Sequence, residues 1–513
     1  MPRARYPFHP ILLGIYPALA LLSYNIQQIT PSITIRAILV TTLSAMGLWL
    51  ILRLILRNTQ KSALAASWLW MLFFSYGQVY TYLEQTPVLG MSLGRHRFLA
   101  PAWLLLSLAG VAWLWRTRHS MARLTPILNA IAAVLVCFPI VQIAQSEVGE
   151  AYQAFVQAAP LSAEAQSLHT DENQALPDVY YIILDSYTRA DIFEKVFAYD
   201  NSPFVQELQQ MGFYVAQCSQ SNYSVTELSL TSSLNMNYLD KLDERFAKNS
   251  NGDRLLLHSF LQQSAARSLL ENLGYKTVAF ETGFAWSELN TAAVFLKPVN
   301  QIGGMNAFEA MLAKTSALSI LSDASLQLDK SLTPDFTYPQ KLHRDRVVFA
   351  LNSLADIPEA ISGPKFVFAH IVAPHLPYVL GANGEAITTP DSIGGEEEKA
   401  AYRDEVIYIN RQISAAVKAI LQKSSTPPII IIQGDHGQNA YPKEERLAIL
   451  NAYYLPNHGS QSLYPAISPV NSFRVIFNQY FGGRFDLLTD ASYYSPSLEK
   501  SFDYEEVANP CVP

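Results

Sequence analysis

The sequence predicts an α/β fold class, in which a five-helix transmembrane domain precedes an α/β/α sandwich with a mostly parallel sheet. Two observations support this. Five apolar runs lie within the first 150 of the 513 residues, and strand-like and helix-like segments alternate from residue 177 onward. The central strands also lack a polar face, as the run of four isoleucines after Pro428 shows. A strand without a polar face is typical of a parallel sheet covered by helices on both sides.

Each apolar run is a candidate membrane-spanning helix. The five runs cover residues 11–24, 37–52, 63–83, 98–115 and 124–143. A helix needs about 20 mostly apolar residues to cross a bilayer, so the first span would have to extend over residues 7–26. Five such runs in series are not typical of buried helices in a soluble protein. We therefore expect a multi-pass transmembrane domain over residues 1–145.

The basic residues predict the orientation of this domain. The N-terminal segment carries two arginines, the second connection carries Arg57 and Lys61, and the fourth carries the sequence RTRHSMAR. Basic loops favour the cytoplasm, so an odd number of spans places everything after residue 145 outside it, either in a periplasm or at the outer face. Arg95 and Arg97 in the third connection do not follow this tendency. They would either meet lipid phosphate or extend their charges to the interface.

The exported part is predicted to be acidic. Residues 1–150 hold 11 Lys and Arg against 3 Asp and Glu, whereas the rest holds 25 against 40, a net charge of −15. This balance argues against a nucleic-acid partner. Residues 146–176 are rich in Ala, Gln and Glu and predict a stalk before a globular extracytoplasmic domain at 177–513. Cys218 and Cys511 are both exported, and whether they pair stays open because a disulfide requires a distance that sequence does not supply.

The exported segments alternate as a doubly covered parallel sheet requires. DVYYIIL, KTVAF, KFVFAHIV and PPIIII predict strands. SPFVQELQQMG, EVIYINRQISAAVKAILQ and SPVNSFRVIFNQYFGG predict helices, because their apolar residues recur at helical spacing.

Polar side chains follow three of these strands. Asp185 follows the first, His370 and His375 lie at the end of KFVFAHIV and in the loop after it, and Asp435 and His436 follow the isoleucines. In an open parallel sheet, ligands bind beyond the carboxyl ends of the strands, so we expect these residues to meet. Two carboxylates and an imidazole suit Zn²⁺ or Mn²⁺, with Mg²⁺ or Ca²⁺ as alternatives. Such an ion would acidify a coordinated hydroxyl, and the hydroxyl-rich stretch SNYSVTELSLTSSLNM offers candidates.

In this order, the motifs resemble the sulfatase/alkaline phosphatase superfamily. The layout is similar to its membrane-anchored phosphoethanolamine and phosphoglycerol (lipoteichoic acid synthase-like) transferases, which combine about five spans with an alkaline-phosphatase-like domain. The resemblance covers the helical anchor by layout and residues 177 to about 481 by motifs. It implies metal ligands at Asp185 and in the D-H-G motif, Asp435 and His436. It also implies a nucleophile that binds the metal at Thr226 of T-x-x-S, although Ser224 or Ser229 would take this role in another register.

The resemblance also gives a role to the H-x4-H pair, His370 and His375. These histidines would donate hydrogen bonds to the phosphoryl oxygens or protonate the leaving group. The implied function is a metal-dependent phosphoryl-group transferase or hydrolase that acts on phosphodiesters of lipid head groups at the outer face of the membrane. The partners would be the bilayer and a membrane lipid or envelope glycan.

Some family features are missing from this chain. Asp185 is followed by Ser186 rather than a second Asp, no C/S-x-P-x-R motif is present near residue 226, and no histidine follows D-H-G by about a dozen residues. Two alternatives therefore stay open. One is a sulfatase-type hydrolase of soluble or glycan sulfate or phosphate esters, and the other is a non-catalytic membrane protein with a degenerate site.

Structural roles are predicted for two further residues, Glu281 and Trp286. Glu281, at another strand end, is expected to cap a helix or loop rather than face a substrate. Trp286 is expected to pack rather than to form a substrate platform. His343 is isolated in the sequence, and no role is predicted for it.

Overall fold

The structure, a computed structural model, describes most of the chain. The described residues are 6–26, 29, 31–85, 96–156, 168–169, 175–250, 254–299, 304–322, 338–389, 394–438, 442–497 and 500–511. The chain forms two compact units. One comprises Met1–Val148 with Gln301–Pro339, and the other comprises Gly149–Asn300 with Gln340–Pro513. We call them the helical unit and the α/β unit. Arg95 and most of the stalk lie outside the described residues.

Five helices of the helical unit coincide with the five predicted apolar runs. They are α1 His9–Tyr24, α2 Ile35–Leu56, α3 Thr59–Gln85, α4 His96–Arg116 and α5 Leu124–Val156. Among the described residues, three helical stretches are long and apolar enough to cross a membrane, namely Pro31–Leu56, His96–Arg116 and Leu124–Ser146. The first helix is apolar but shorter. Many large apolar side chains of α2, α4 and α5 are exposed, as lipid-facing helices require.

A seven-stranded sheet forms the centre of the α/β unit. Its strands are β1 Val179–Leu184, β2 Tyr214–Val215, β3 Lys276–Phe280, β4 Val294–Leu296, β5 Lys365–Ile371, β6 Ile429–Gly434 and β7 Asn451–Tyr454. Their order is β2-β7-β6-β1-β5-β3-β4. The four pairs from β6 to β4 are parallel, whereas β7 pairs antiparallel with both β6 and β2. The predicted α/β class with a mostly parallel sheet is confirmed.

The sheet is buried on both faces, because its central strands have no polar side. Tyr180, Ile182 and Leu184 of β1 belong to one core cluster, which includes Tyr402 and Val406. Val179, Tyr181 and Ile183 alternate with them and belong to a second cluster on the opposite face. The isoleucines of β6 divide between the two clusters in the same way. This alternation explains how four consecutive isoleucines can all be fully buried in one strand.

Helices cover both faces of the sheet and follow in chain order. They are α6 Ala190–Phe197, α7 Ser202–Gln210, α8 Thr226–Leu234, α9 Leu239–Leu242, α10 Arg254–Gln262, α11 Ala265–Asn272, α12 Ala307–Lys314, α13 Tyr338–Ser353, α14 Ile357–Ala360, α15 Gly395–Lys423, α16 Lys443–Leu447 and α17 Pro469–Tyr480. Of these, α12 packs with the helical unit. A small antiparallel pair, β8 Ser492–Tyr494 and β9 Glu505–Val507, lies near the C-terminus. A disulfide joins Cys218 to Cys511, with 5.3 Å between the Cα atoms.

Residues 304–322, here called the strap, follow β4 in the sequence but pack against the helical unit. The strap contains α12 and the short 3₁₀ helix Ala317–Ser322. Phe308 and Leu312 of α12 share a buried apolar cluster with residues of α1 and α2. Arg36 of α2 forms an ion pair with Glu309 and also donates to the carbonyl oxygen of Gly304. Apolar burial and an ion pair together attach the strap to this unit.

Candidate metal centre

The strand register brings two carboxylates together. Leu184, the last residue of β1, pairs with Gly434, the last residue of β6. The residues that follow them, Asp185 and Asp435, therefore leave the sheet side by side. Both side chains are buried, with 1% and 0% of their surface exposed. Two buried carboxylates at the ends of neighbouring strands require hydrogen-bond donors or a cation to offset their repulsion.

Ser186 supplies donors to both carboxylates. Its backbone N–H donates to Oδ1 of Asp435 at 2.9 Å, and its hydroxyl donates to Oδ1 of Asp185 at 3.1 Å. Its φ of 65° is in the left-handed region, which is uncommon for a residue with a side chain. Gly434 is equally constrained, because a Cβ at that position would lie 2.3 Å from the carbonyl oxygen of Tyr187. The glycine before Asp435 thus permits a close backbone approach at this turn.

The tautomer of His436 is determined by its own turn. Its Nδ1 lies 2.7 Å from the carbonyl oxygen of Gly437, which can only accept, so Nδ1 carries the proton. The lone pair is therefore on Nε2, the nitrogen that faces the carboxylates. Burial lowers the pKa of His436, although Asp435 opposes this shift. A neutral imidazole with one nitrogen fixed by a carbonyl is the usual form of a metal-binding histidine.

Thr226 is the hydroxyl that meets this group. It is the first residue of α8, and its Oγ1 lies 3.0 Å from Nε2 of His436. Ser229, three residues later, donates to the backbone carbonyl of Asp435 at 2.7 Å and so attaches α8 to the D-H-G turn. The hydroxyl of Ser224 instead accepts from the backbone N–H of Ser495. Of the three hydroxyls considered from the sequence, Thr226 is the one in contact with His436.

The distances from Nε2 of His436 to the oxygens around it bracket the spacing of metal ligands. Nε2 of His436 lies 3.0 Å from Oγ1 of Thr226, 3.5 Å from Oδ2 of Asp435 and 4.0 Å from Oδ1 of Asp185. Ligands about 2.0–2.2 Å from a tetrahedral Zn²⁺ lie about 3.3–3.6 Å apart. Oδ2 of Asp435 is buried and has no hydrogen-bond partner in the described part of the chain. An unpartnered buried carboxylate oxygen is the strongest sign here that the site accepts a cation.

His370 lies on the far side of Asp185. Its Nε2 is 3.3 Å from Oδ2 of Asp185, and the side chain is fully buried. One donor atom from each of Asp185, His370 and Asp435 lies within 4.8 Å of the others, so His370 would be a further ligand of a bound cation or a partner that orients Asp185. Burial disfavours the charged form of Asp185, but His375 and His370 outweigh it and lower the pKa of this carboxyl.

His375 is less buried than the other site residues. It lies in the loop after β5, and its Nδ1 donates to the carbonyl oxygen of Leu376 at 2.6 Å. Glu405 of α15 holds this loop, because its Oε1 accepts from the backbone N–H groups of Val379 and Leu380 at 3.0 and 3.1 Å. The half-exposed imidazole of His375 is thus the predicted histidine best placed to meet a substrate.

Sequence reasoning missed His343. This residue lies on α13 and is buried, and burial together with His375 and Arg346 lowers its pKa to about 4. It lines a cavity of about 10 Å³ with Glu281 and His370, and its buried Nε2 has no hydrogen-bond partner among the described residues. The helical spacing of His343 and Arg346 on one face of α13 was the available signal.

Glu281 and Trp286 also lie at this edge. Glu281 is not a simple cap, because it pairs with Nε of Arg346 at 3.0 Å. The ring of Trp286 lies 6.0 Å from that of His370, centroid to centroid. The wall of the site beside His370 is therefore built from β3, α13 and the loop after β3.

Comparison with known proteins gives similarity to solved structures alone. A scan of protein-family models and a search of curated proteins found no match. The C-terminal periplasmic domain of EcEptC from Escherichia coli is similar at 12% identity and a TM-score of 0.42, over 66% of this chain and 93% of that one. The lipooligosaccharide phosphoethanolamine transferase EptA from Neisseria meningitidis is similar at 11% identity and a TM-score of 0.41, over 92% and 94%.

A putative sulfatase from Bacteroides thetaiotaomicron is also similar, at 12% identity and a TM-score of 0.37, over 62% of this chain and 78% of that one. The similar solved structures thus include phosphoethanolamine transferases and a putative sulfatase.

Proposed function

We propose that the protein is a metal-dependent phosphoryl-group transferase or hydrolase, acting on phosphodiesters of lipid head groups through Thr226. One observation carries the proposal: a buried hydroxyl at the start of a helix contacts a neutral imidazole beside two buried carboxylates. A structural threonine would not need an unpartnered carboxylate oxygen within the same cluster. The arrangement instead matches an activated nucleophile, in which the hydroxyl and its activating groups are within hydrogen-bond reach.

Asp185, Asp435, His436 and Thr226 are the residues that would hold the cation. When bound, a divalent ion supplies a Lewis acid that lowers the pKa of a hydroxyl and neutralises phosphoryl charge. The chain itself prepares this site in two ways. Ser186 orients both carboxylates, and the Gly437 carbonyl holds His436 in the tautomer with a free Nε2.

The first step forms a bond between Oγ1 of Thr226 and phosphorus and breaks the bond to the leaving alcohol, after the hydroxyl proton of Thr226 has passed to solvent. Thr226 begins α8, and its N-cap residue Val225 makes no side-chain cap. The first N–H groups of a helix lack intrahelical acceptors and attract anions, so these groups are suited to the phosphoryl oxygens. His375 would donate the proton that the leaving alcohol requires.

The second step forms a bond between phosphorus and the oxygen of the acceptor, breaks the bond between phosphorus and Oγ1 of Thr226, and passes the acceptor's proton to His375. An acceptor alcohol gives a transferase, and water gives a hydrolase. The wall that contains His370, Trp286 and Glu281 would border the acceptor, because His370 of this wall contacts Asp185 of the site. Analysis of the reaction products identifies the acceptor and so distinguishes a transferase from a hydrolase.

The test is mass spectrometry of the Thr226 peptide after the full chain, in detergent with Zn²⁺ or Mn²⁺, is incubated with phospholipids. We expect a phosphoryl-containing adduct on Thr226 that is absent from Thr226→Ala. Asp435→Asn should lose both the adduct and the stoichiometric metal, because it removes a ligand oxygen. A matched control, Asp356→Asn, alters a surface carboxylate that pairs with Lys423 and should keep both.

Three results would overturn the proposal. An adduct that persists in Thr226→Ala would remove Thr226 as nucleophile. Purified protein without a stoichiometric divalent ion would favour a non-catalytic membrane protein. Turnover of a chromogenic sulfate ester in preference to a phosphodiester would favour the sulfatase alternative.

A further inference from the structure

The helical unit contains an apolar groove that the chemistry above does not use. Its cavity has a volume of about 360 Å³, in the range of ligand pockets. It runs between α3 and α4, and the strap closes one end with Ala317 and Ile320. Aromatic and aliphatic side chains form its walls, namely those of Leu69, Trp70, Phe73, Trp103 and Leu104. The groove therefore offers an apolar ligand a lined channel within the membrane-spanning helices.

The end with the strap is the outer end. The strap lies in the chain between strands of the α/β unit, and no apolar run of spanning length separates them. Since the α/β unit is predicted to be outside the cytoplasm, the strap and the helix ends it contacts are outside as well. The groove uses residues 100–107 of α4, mostly in the half of this helix nearer to that end, and residues 69–76 of α3, which directly precede Gly77, where the strap backbone contacts α3. It therefore lies at the depth of the outer leaflet.

Polar groups concentrate at this outer end. Tyr76 lines the groove, and its hydroxyl lies 2.8 Å from Nδ1 of His96. Arg97 is exposed at the start of α4, with its guanidinium 4.8 Å from the ring centre of Phe98. Residues 97, 100 and 104 share one face of a helix, so Arg97 lies above the groove residues Ala100 and Leu104. The apolar channel thus leads to a cation at interface depth.

One unmet hydrogen-bond donor lies in the wall itself. The indole N–H of Trp70 is buried and has no acceptor within the described ranges. By contrast, the neighbouring indole of Trp103 donates to the carbonyl oxygen of Leu72 at 3.0 Å. Buried donors without partners are uncommon in native proteins. This nitrogen has almost no accessible surface, so a ligand in the groove does not contact it without a movement of the Trp70 ring.

We propose that this groove binds an acyl chain of an outer-leaflet phospholipid whose phosphate pairs with Arg97, and that this lipid is a substrate of the reaction. The last clause rests on the proposed function, whereas the binding site does not. Two features select this occupant: apolar walls at membrane depth and a cation at the level of the phosphate. An anionic lipid matches both, because its charged head group lies at the interface and its acyl chain extends into the membrane.

The binding test uses a phospholipid with a photoactivatable acyl chain, incubated with the detergent-purified full chain. We expect crosslinks on the groove residues of α3 and α4. Ala100→Trp should fill the groove and reduce crosslinking by more than about tenfold, since each buried CH₂ contributes to chain binding. The matched control is Leu105→Trp, at an exposed position of the same helix, which should crosslink like the unmodified chain. If Ala100→Trp fails to fold, Ser107→Phe replaces it as the test variant, because Ser107 lines the same groove two helical turns further along α4.

The charge test compares Arg97→Gln with Arg116→Gln, which alters the arginine at the other end of α4. Arg97→Gln should weaken crosslinking by about fivefold, the effect expected for one cation near an anionic head group. Arg116→Gln should leave it unchanged. Equal crosslinking of Ala100→Trp and the unmodified chain would contradict lipid binding in the groove. Equal effects of the two arginine variants would contradict the contact between Arg97 and the phosphate.

Turnover separates this inference from the proposed function. Ala100→Trp should lose activity on a long-chain phospholipid but keep it on a soluble short-chain phosphodiester, which needs no groove. If the unmodified chain turns over neither compound, the proposed function fails while the crosslinking result still decides the groove. If Ala100→Trp turns over both compounds normally, the lipid in the groove is not the substrate.

Discussion

Ser186 shows how much of the candidate site depends on a residue that is not itself a ligand. In its left-handed conformation, it donates its N–H to Asp435 and its hydroxyl to Asp185. Both carboxylates are therefore oriented by one turn residue. Groups that orient metal ligands affect affinity almost as strongly as the ligands do.

We predict that Ser186→Ala weakens metal binding about 10- to 100-fold, because Asp185 loses the hydroxyl donor while the backbone bond to Asp435 remains. Competition with a chromogenic chelator measures this change. Ser414→Ala, which removes a serine–carboxylate hydrogen bond to Glu207 far along α15, is the control and should bind metal normally. Unchanged affinity in Ser186→Ala would show that Asp185 is oriented without this hydroxyl.

Glu405 is a second residue outside the ligand set, and its carboxyl affects how the stability of the fold depends on pH. Burial raises its pKa to about 8, although the backbone N–H groups of Val379 and Leu380 oppose the shift. In the unfolded chain, the carboxyl titrates near its ordinary value of 4.5. Between these two values, the folded protein binds more protons than the unfolded one, so stability is lost as the pH rises.

We therefore predict that Glu405→Gln reduces the loss of stability between about pH 5 and about pH 8, because glutamine accepts the same two bonds and does not titrate. Thermal denaturation of the full chain at both pH values measures the difference. Glu396→Gln changes an exposed glutamate of the same helix and should leave the pH dependence as it is. A Glu405→Gln profile as steep as that of the unmodified chain would contradict the raised pKa.

The sequence was more informative about the candidate metal ligands than about the residues around them. Asp185, Asp435 and His436 directly follow strands whose burial is evident from their isoleucine and valine content, so their meeting at one sheet edge was predictable. The short distances between their side chains were not predictable, since they depend on the turn at Ser186. His343 reaches the site from a helix, and its spacing from Arg346 shows that the two side chains share a face but not which neighbours that face will have.

Among the elements, the strap is the feature that sequence patterns did not predict. Its helix α12 has ordinary length and a capping box, in which Asn306 and Glu309 bond reciprocally. Nothing local shows that Phe308 and Leu312 pack between α1 and α2 rather than in the α/β core. The strap fits against α3 because Gly77 has no side chain and leaves the space that the strap backbone fills.

This contact gives a prediction for α3. A Cβ at Gly77 would lie 2.2 Å from the carbonyl oxygen of Lys314, a backbone atom that cannot rotate away. Gly77→Ala should detach the strap at a cost of about 1–3 kcal/mol. Limited proteolysis of the full chain should then cut residues 304–322 faster. Gly47→Ala is the matched control, because a Cβ there meets nothing within 4 Å. Equal cleavage rates would mean that the helices accommodate the extra methyl group.

For the whole molecule, the strap contacts and the charge distribution agree on the orientation. The strap meets the C-terminal part of α1, the start of α2 and Gly77 of α3. These are the helix ends that the basic residues assign to the outside, whereas Arg57 and Lys61 lie at the opposite ends. Two independent features, one of charge and one of packing, therefore support the same transmembrane arrangement.

Single cysteines test this arrangement, because Cys218 and Cys511 are already joined and Cys137→Ser removes the remaining thiol. In that background, we expect Tyr24→Cys, at the exposed end of α1, to react with a membrane-impermeant maleimide on intact cells. Asn58→Cys, between α2 and α3, should react only after permeabilisation, since its loop carries the basic residues that favour the cytoplasm. The reverse pattern would place the strap and the metal centre on the cytoplasmic side, where a thiol-reducing environment does not favour the Cys218–Cys511 disulfide.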